Sequence, residues 1–310
     1  ENSVANAFDA AATEKRLGEL QRAVREALAR HDTDAATDAS AALVDLAEAS
    51  YGSERNPILA AATNDAALCA KASGAFELAA EKFARSAQLY EACGMKNHPS
   101  AATALHNLGV CYKDNAAVPG GSKLARTALL DRAHEALAEA NARRGASPDH
   151  DAARDRAAAA TTSVVLASVE RLRGDAEAAA ATLDGAIADL REVFADTPKK
   201  PGAATALAAA LNNRALHLKQ DGDADDAAGP FYAEALKLRE DALGPDHPVV
   251  IQTLHNVAEL LDARGDSEDA YAVRQDVLKR LGVDEAEGDA AFAEAAAAYA
   301  EGARVKGGPS

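Results

Sequence analysis

The side chains that return at matched spacing in this chain are amides and imidazoles, and they set the chemistry open to it. Asn107, Asn213 and Asn256 stand in three helical stretches, and a neutral amide offers donors and an acceptor together. That suits recognition of a peptide backbone irrespective of its side chains; the alternative is a plain solvated helix surface. Asn costs a helix about 0.5 kcal/mol relative to Ala, so its return in an alanine-saturated chain favours a binding wall. Asn212 adjoins Asn213, while Lys113 and Lys219 follow Asn107 and Asn213 by six residues and would add charge to the same wall. Asp262 takes that place after Asn256. His98 and His247 share one linker position, and His106 and His255 share one helix position. Recurrence assigns them to architecture or to the wall, because a zinc site wants ligands converging in one small shell. No metal is expected.

Catalytic patterns give nothing comparable. GxSxG, HExxH and the P-loop frame are absent from the sequence. Gly120-Gly121-Ser122-Lys123 reads as part of an inserted turn. The paired carboxylates Asp225-Asp226 and Glu268-Asp269 open helices, where an acid complements the helix dipole by about 0.3–1 kcal/mol. The three cysteines, Cys69, Cys93 and Cys111, lack CxxC spacing and are expected to sit reduced in helix cores. The chain is read as a non-enzyme with no catalytic residues and no cofactor.

The elements that carry these residues repeat. Asn64 to Asn107, Asn213 to Asn256 and Gly222 to Gly265 are each 43 apart, and Asn56-Pro57 precedes His98-Pro99 by 42. Each unit reads as helix A, a Gly-containing turn, helix B, and a Pro-bearing link. In the last complete unit Leu254, Val257, Ala258 and Leu261 fall at i, i+3, i+4, i+7, which predicts one apolar stripe. Gly265 ends that helix, helix B restarts at Asp266 or Ser267, and Ala270, Val273, Val277 and Leu281 face its partner. The unit at about 97–145 has its turn enlarged by Val118-Pro119-Gly120-Gly121-Ser122. Residues 1–52 are expected to form a degenerate helical hairpin, split near His31–Asp34, and 53–283 to hold four to five repeats. A capping helix at 284–305 and a loose tail at 306–310 complete the division.

Composition agrees with helix throughout. There are 83 alanines against 6 Phe, 6 Tyr and no Trp, so little surface is buried per residue and helices must approach closely. Net charge is −16, which disfavours nucleic acid and anionic membranes and makes a basic segment of another protein the natural complement. No apolar run approaches the ~20 residues that span a bilayer. The first residue is Glu1 and the only methionine is Met95, as in a trimmed chain or one that has lost a targeting peptide. The expected compartment is therefore the cytoplasm or an organelle interior.

The runs Ala-Leu-Asn-Asn-Arg-Ala-Leu (210–216), Leu-Gly-Pro-Asp-His-Pro-Val-Val (243–250) and Thr-Leu-His-Asn-Val-Ala (253–258) resemble tetratricopeptide repeats of the kinesin light chain type. The likeness is close at 200–282, recognisable at 95–145, and reduced to the turn and helix B at 148–195. It implies an all-α, right-handed α-solenoid of antiparallel helix pairs whose concave wall is lined by A helices. It also implies that an Asn of helix A faces that groove and bonds an extended peptide. Asn107, Asn213 and Asn256 match that position, and Val165 stands there in the unit at 148–195. His106, Asn212, His255, Lys113 and Lys219 are expected to line the same groove. Gly109, Ala215 and Ala258 match the small residue at the tight A–B crossing. The function expected is a protein-interaction scaffold or adaptor holding an extended partner segment, or else a permanent subunit of a large assembly contacting through its outer faces.

Overall fold

The computed structural model describes residues 2–147, 153–197, 201–221 and 227–282. Among them are twelve α-helices and no strand. The expected capping helix, the tail, the repeat marker Gly222 and the Asp225-Asp226 pair lie outside the described residues. Two compact units divide the chain near residue 155, with α7 (Ala153–Arg173) falling mainly in the second.

The first unit holds α1 (Asn2–Ala29), α2 (Thr33–Tyr51), α3 (Pro57–Ala72), α4 (Phe76–Ala92), α5 (Pro99–Ala116) and α6 (Lys123–Gly145). The break between α1 and α2 falls at His31, whose φ of 57° turns the chain. Each helix packs on the next, and α3 also touches α5. The second unit continues with α8 (Ala176–Asp196), α9 (Pro201–Gln220), α10 (Ala228–Leu243), α11 (Pro248–Arg264) and α12 (Ser267–Leu281). There α9 touches α11. Odd-numbered helices from α3 are the A helices and even-numbered ones the B helices.

The residues that punctuate the repeat are helix caps. Asn56, His98 and His247 each precede the proline that opens an A helix. Pro disfavours helical φ/ψ at the residue before it and lacks an N–H where none is needed, so that residue becomes the cap. His98 Nδ1 accepts the Ser100 N–H at 3.2 Å, and His247 Nδ1 accepts the Val249 N–H at 3.2 Å. Buried Asn56 accepts from Ile58 and Leu59 while donating to the carbonyls of Ala47 and Gly52, tying α2 to α3. The recurrence of His98 and His247 is therefore capping: each imidazole commits a lone pair to its own helix. Gly265, at φ 85°, closes α11 in the left-handed conformation its position demands. Asp266 stands at the cap of α12, but its side chain makes no capping bond.

Core packing depends on small residues. One cluster sets Phe83 against Ala79, Ala104, Leu108 and Ala140, so an aromatic fills the space that alanines on three neighbouring helices leave. A Cβ placed on Gly109 would lie 2.5 Å from Leu137 Cγ and 3.1 Å from the Ala133 carbonyl oxygen, which makes this the closest helix approach required of any glycine described. Ala215 and Ala258 are fully buried at the corresponding places in α9 and α11. The single stripe expected on α11 is in fact two-sided. Leu254, Val250 and Ile251 pack with Val277, Leu278 and Leu281, while Leu260 and Val257 pack with Ala215, Ala228 and Tyr232. An interior helix of a stack meets its own partner and the preceding pair, so its apolar positions exceed one face. Cys69 and Cys111 are buried as expected; Cys93 instead ends α4 and is half-buried.

Gly109→Ala is expected to lower unfolding free energy by about 1–3 kcal/mol through overpacking against Leu137, overriding the gain in helix propensity. Gly185→Ala, where nothing lies within 4 Å of the added Cβ, is expected to gain about 0.5–1 kcal/mol. Ala258→Leu should cost about 1–3 kcal/mol. Urea unfolding of the three variants beside the parent chain checks the signs.

Candidate functional site

The A helices carry most of the recurring polar residues, and within each unit these meet their counterparts on the next A helix. In the first unit the Asn107 Nδ2 amide donates to Asn64 Oδ1 at 3.1 Å, bridging α3 and α5. In the second, Asn256 Nδ2 donates to Asn212 Oδ1 at 3.1 Å, bridging α9 and α11. The 43-residue period sets Asn213 opposite Asn256, but the structure pairs Asn256 with buried Asn212. Asn213 is half-buried and forms no side-chain bond with any described residue. An amide pair uses one donor and one acceptor, leaving each Asn further capacity to bond.

Charges along these helices are likewise shared between repeats. Lys71 on α3 pairs with Asp114 on α5 at 2.7 Å, and Lys113 lies 3.6 Å from the same carboxylate. Lys219 on α9 pairs with Glu259 on α11 at 2.7 Å, and His255 Nε2 lies 3.3 Å from the other oxygen of Glu259. Hydrogen bonds from Lys219 and His255 hold the Glu259 carboxyl below its ordinary range, against the opposing effect of burial. Arg171 on α7 pairs with Asp221 at 2.7 Å and bonds Gln220 at 2.6 Å. Behind this row, Arg214 grips Asp184 of α8 through two bonds, at 2.7 and 3.1 Å. Asp262 receives Arg274 of α12. Of the lysines expected to charge the wall, Lys219 is thus neutralised by an acid of the adjoining helix and Lys113 by Asp114 of its own.

Two imidazoles are held neutral. Burial, reinforced by Arg144, Lys113 and Lys71, lowers the His106 pKa to about 4. Burial, with Arg171 and Arg214 nearby and Asp221 opposing them, lowers that of His217 to about 4. Burial pushes the Cys111 thiol up to about 11, and its sulfur bonds the Phe76 carbonyl oxygen at 3.4 Å. Neither histidine nor thiol is therefore poised for acid–base or nucleophilic work. Among the described residues, no group of three His, Cys, Asp or Glu side chains could hold a metal ion. No helix of the described residues is long and apolar enough to cross a membrane.

Of the residues singled out by sequence, the structure sets Asn107 and Lys113 on α5 with His106, and Asn212, Asn213 and Lys219 on α9 beside Asn256 and His255 of α11. Val165 is half-buried on α7. Sequence reasoning passed over Lys71, Asp114, Glu259 and Arg171. For the first pair a signal existed, since Lys71 and Asp114 are opposite charges one 43-residue repeat apart. For Lys219 and Glu259 the separation is 40, so a strict period conceals the pair.

Paired helices, Pro-linked caps, small residues at the A–B crossing and bonded A helices together describe a tetratricopeptide-type repeat fold. Residues 206–281 match the tetratricopeptide repeat family directly. The more particular likeness is to repeats of the kinesin light chain type. The kinesin light chain tetratricopeptide-like repeats of Podosopora anserina superpose with a TM-score of 0.54 at 16% identity, over 74% of this chain and 97% of that one. A point variant of that same protein gives 0.55 at 16% identity, over 73% and 95%. BtubC (BKLC) from P. vanneervenii gives 0.50 at 19% identity, over 74% and 92%. No curated protein sequence matches the chain. At these identities the solved structures establish the fold.

The depressed histidines make stability depend on pH. Their native pKa lies below the unfolded value of about 6.5, so on acidification the unfolded chain takes up protons first. The stabilisation is present in full above about pH 6.5 and is lost as pH falls towards 4. Thermal unfolding followed from pH 7 to 4.5 should show a steady fall in Tm, and His217→Gln should flatten it by the equivalent of about 1–3 kcal/mol.

Proposed function

We propose that this chain is a non-catalytic interaction scaffold that holds an extended segment of a partner protein along its A-helix face. The observation that carries this reading is the pairing of Asn107 with Asn64 and of Asn256 with Asn212, with Asn213 beside the second pair forming no side-chain bond to any described residue. Amides fixed by one another present their remaining donors and acceptors in set directions, so less side-chain entropy is lost when a peptide backbone bonds them. The cations beside them are already paired, so recognition by this face rests on backbone hydrogen bonds more than on charge. The net charge of −16 acts at longer range, favouring approach of a basic segment. Asn107, Asn213 and Asn256 would contact the partner backbone, with His106, Asn212, His255, Lys113 and Lys219 bordering it.

The test compares the parent chain with a variant in which Asn107, Asn213 and Asn256 are all Ala, both checked for equal helicity. Each is used to capture partners from native lysate, with proteomic readout. Loss of one or a few partners by the variant supports the A-helix face as the site. Recovery of the same large complex by both would overturn the proposal and make the chain an assembly subunit held by its outer faces.

A further inference from the structure

A second surface lies in the first unit, away from the Asn pair there, and an insertion builds it. Helix A moves by 43 residues between the first two repeats, as Asn64 and Asn107 show, whereas the buried positions of helix B move by 54. Ala79, Phe83, Ser86 and Tyr90 of α4 correspond in this way to Ala133, Leu137, Ala140 and Arg144 of α6, all buried. Eleven additional residues therefore separate α5 from the packed part of α6. Only some of them widen the turn. The rest add about two turns to the start of α6, since Leu130 corresponds to Phe76, the first residue of α4, and α6 begins at Lys123. Every residue from 123 to 128 is exposed, and Leu124 is 81% exposed.

These projecting turns form one wall of a cleft of about 820 Å³. The opposite wall is the start of α4, with Phe76, Ala80 and Ala84, and the end of α5 supplies Tyr112 and Ala116. The Val118–Gly121 segment borders it. At their far ends α4 and α6 are tied, because Arg143 of α6 bonds Glu91 of α4 at 3.3 Å and the carbonyl oxygen of Lys96 just beyond it at 3.5 Å, held in place by Glu139 of its own helix at 2.7 Å. At the cleft no described hydrogen bond or ion pair joins the two helices. The gap is thus fastened at one end and open at the other.

Charge is sorted across it. The α4 wall carries Glu77 and Glu81, and the α6 wall carries Arg126 and Arg132. Glu77 accepts a bond from Asn115 at 3.4 Å, and Arg132 lies over the Tyr112 ring at 5.9 Å; neither arginine has an ion-pair partner among the described residues. The first turn of α6 has no acid and starts with Lys123, so beyond the Ser122 cap on the Ala125 N–H no negative charge offsets the positive end of the helix dipole beside Arg126. An apolar trough between two helices, with an acidic border and a basic border, has the form that receives an amphipathic helix.

We propose that this cleft docks a short amphipathic helix of a partner protein. Its apolar ridge lies on Phe76, Ala84, Tyr112 and Leu129, its acidic flank meets Arg126 and Arg132, and its basic flank meets Glu77 and Glu81. Because the two flanks differ in sign, the charges also fix the direction in which the helix lies.

The full chain is used to select from a displayed library of random peptides of about 16 residues, with counter-selection on the Ala84→Arg variant, which fills the trough. Enriched peptides should show apolar residues at i, i+3 or i+4, and i+7, with acids bordering one side. Arg126→Glu combined with Arg132→Glu, both on an exposed helix surface, should weaken these peptides about tenfold or more. Lysines placed on the acidic flank of the peptide should restore binding to that double variant. Enrichment without helical spacing, indifference to the charge reversal, or failure of the swapped peptide would overturn the proposal. Self-association of the chain that the double variant abolishes would assign the cleft to a second copy and overturn it equally.

Discussion

Close approach of helices is the constraint on which the rest of this molecule depends. Alanine buries few atoms, so a chain with 83 alanines gains enough dispersion and apolar burial only where backbones nearly touch. The α5–α6 crossing shows the limit, since Leu137 and the Ala133 carbonyl occupy the space a Cβ on Gly109 would need. Larger side chains such as Phe83 and Tyr232 then fill what the alanines leave. One consequence is that helix surfaces meet with little lateral freedom. Polar residues on successive A helices are brought within bonding distance by the packing behind them, and the amide pairs follow from it.

The same closeness explains which parts of the architecture were legible in sequence. Pro preceded by Asn or His, Gly after an apolar run, and a small residue at a fixed place in helix A are local chemical requirements, and they survive as markers at a near-constant period. The role of His98 and His247 was not legible from recurrence, because a capping lone pair and a wall-lining ring leave the same trace in sequence. The two-sided burial of α11 was missed for a related reason. A single helical stripe describes a helix with one partner, whereas Leu260 and Val257 face α10 while Leu254 faces α12.

The candidate site was legible in its residue types and less so in its pairing. Asn212 and Asn213 are adjacent, and helical geometry sets neighbours about 100° apart, so which one reaches α11 depends on the rotation of α9. That rotation is fixed by packing around Ala208, Leu211 and Ala215, not by the amides. Buried Arg239 is a comparable case. It bonds the Val249 carbonyl and the Thr253 hydroxyl, and burial lowers its pKa to about 10. It occupies the register that Tyr90 fills in α4, and nothing in an Arg-Glu dipeptide announces that its first member turns inward.

Electrostatics within the units separates the two kinds of surface. Lys71 and Lys219 on A helices, and Arg191 and Arg280 on B helices, each reach an acid on a neighbouring helix at 2.7–2.9 Å, and Arg171 reaches Asp221 just past the end of α9 at 2.7 Å. Exposed pairs of this kind contribute little individually, about 0–1 kcal/mol. Their greater effect is on recognition, because a cation already paired has less to gain from a new carboxylate than an unpaired one. The insertion interrupts this pattern of pairing. By extending α6 past the packed stack it carries Arg126 beyond reach of any described acid, while leaving Arg132 on an aromatic ring. A row of self-compensated charges leaves amides as the groups with hydrogen bonds to offer, and a projecting helix end leaves charge. The two surfaces therefore select for different properties in whatever they hold: backbone form on one, side-chain sign on the other.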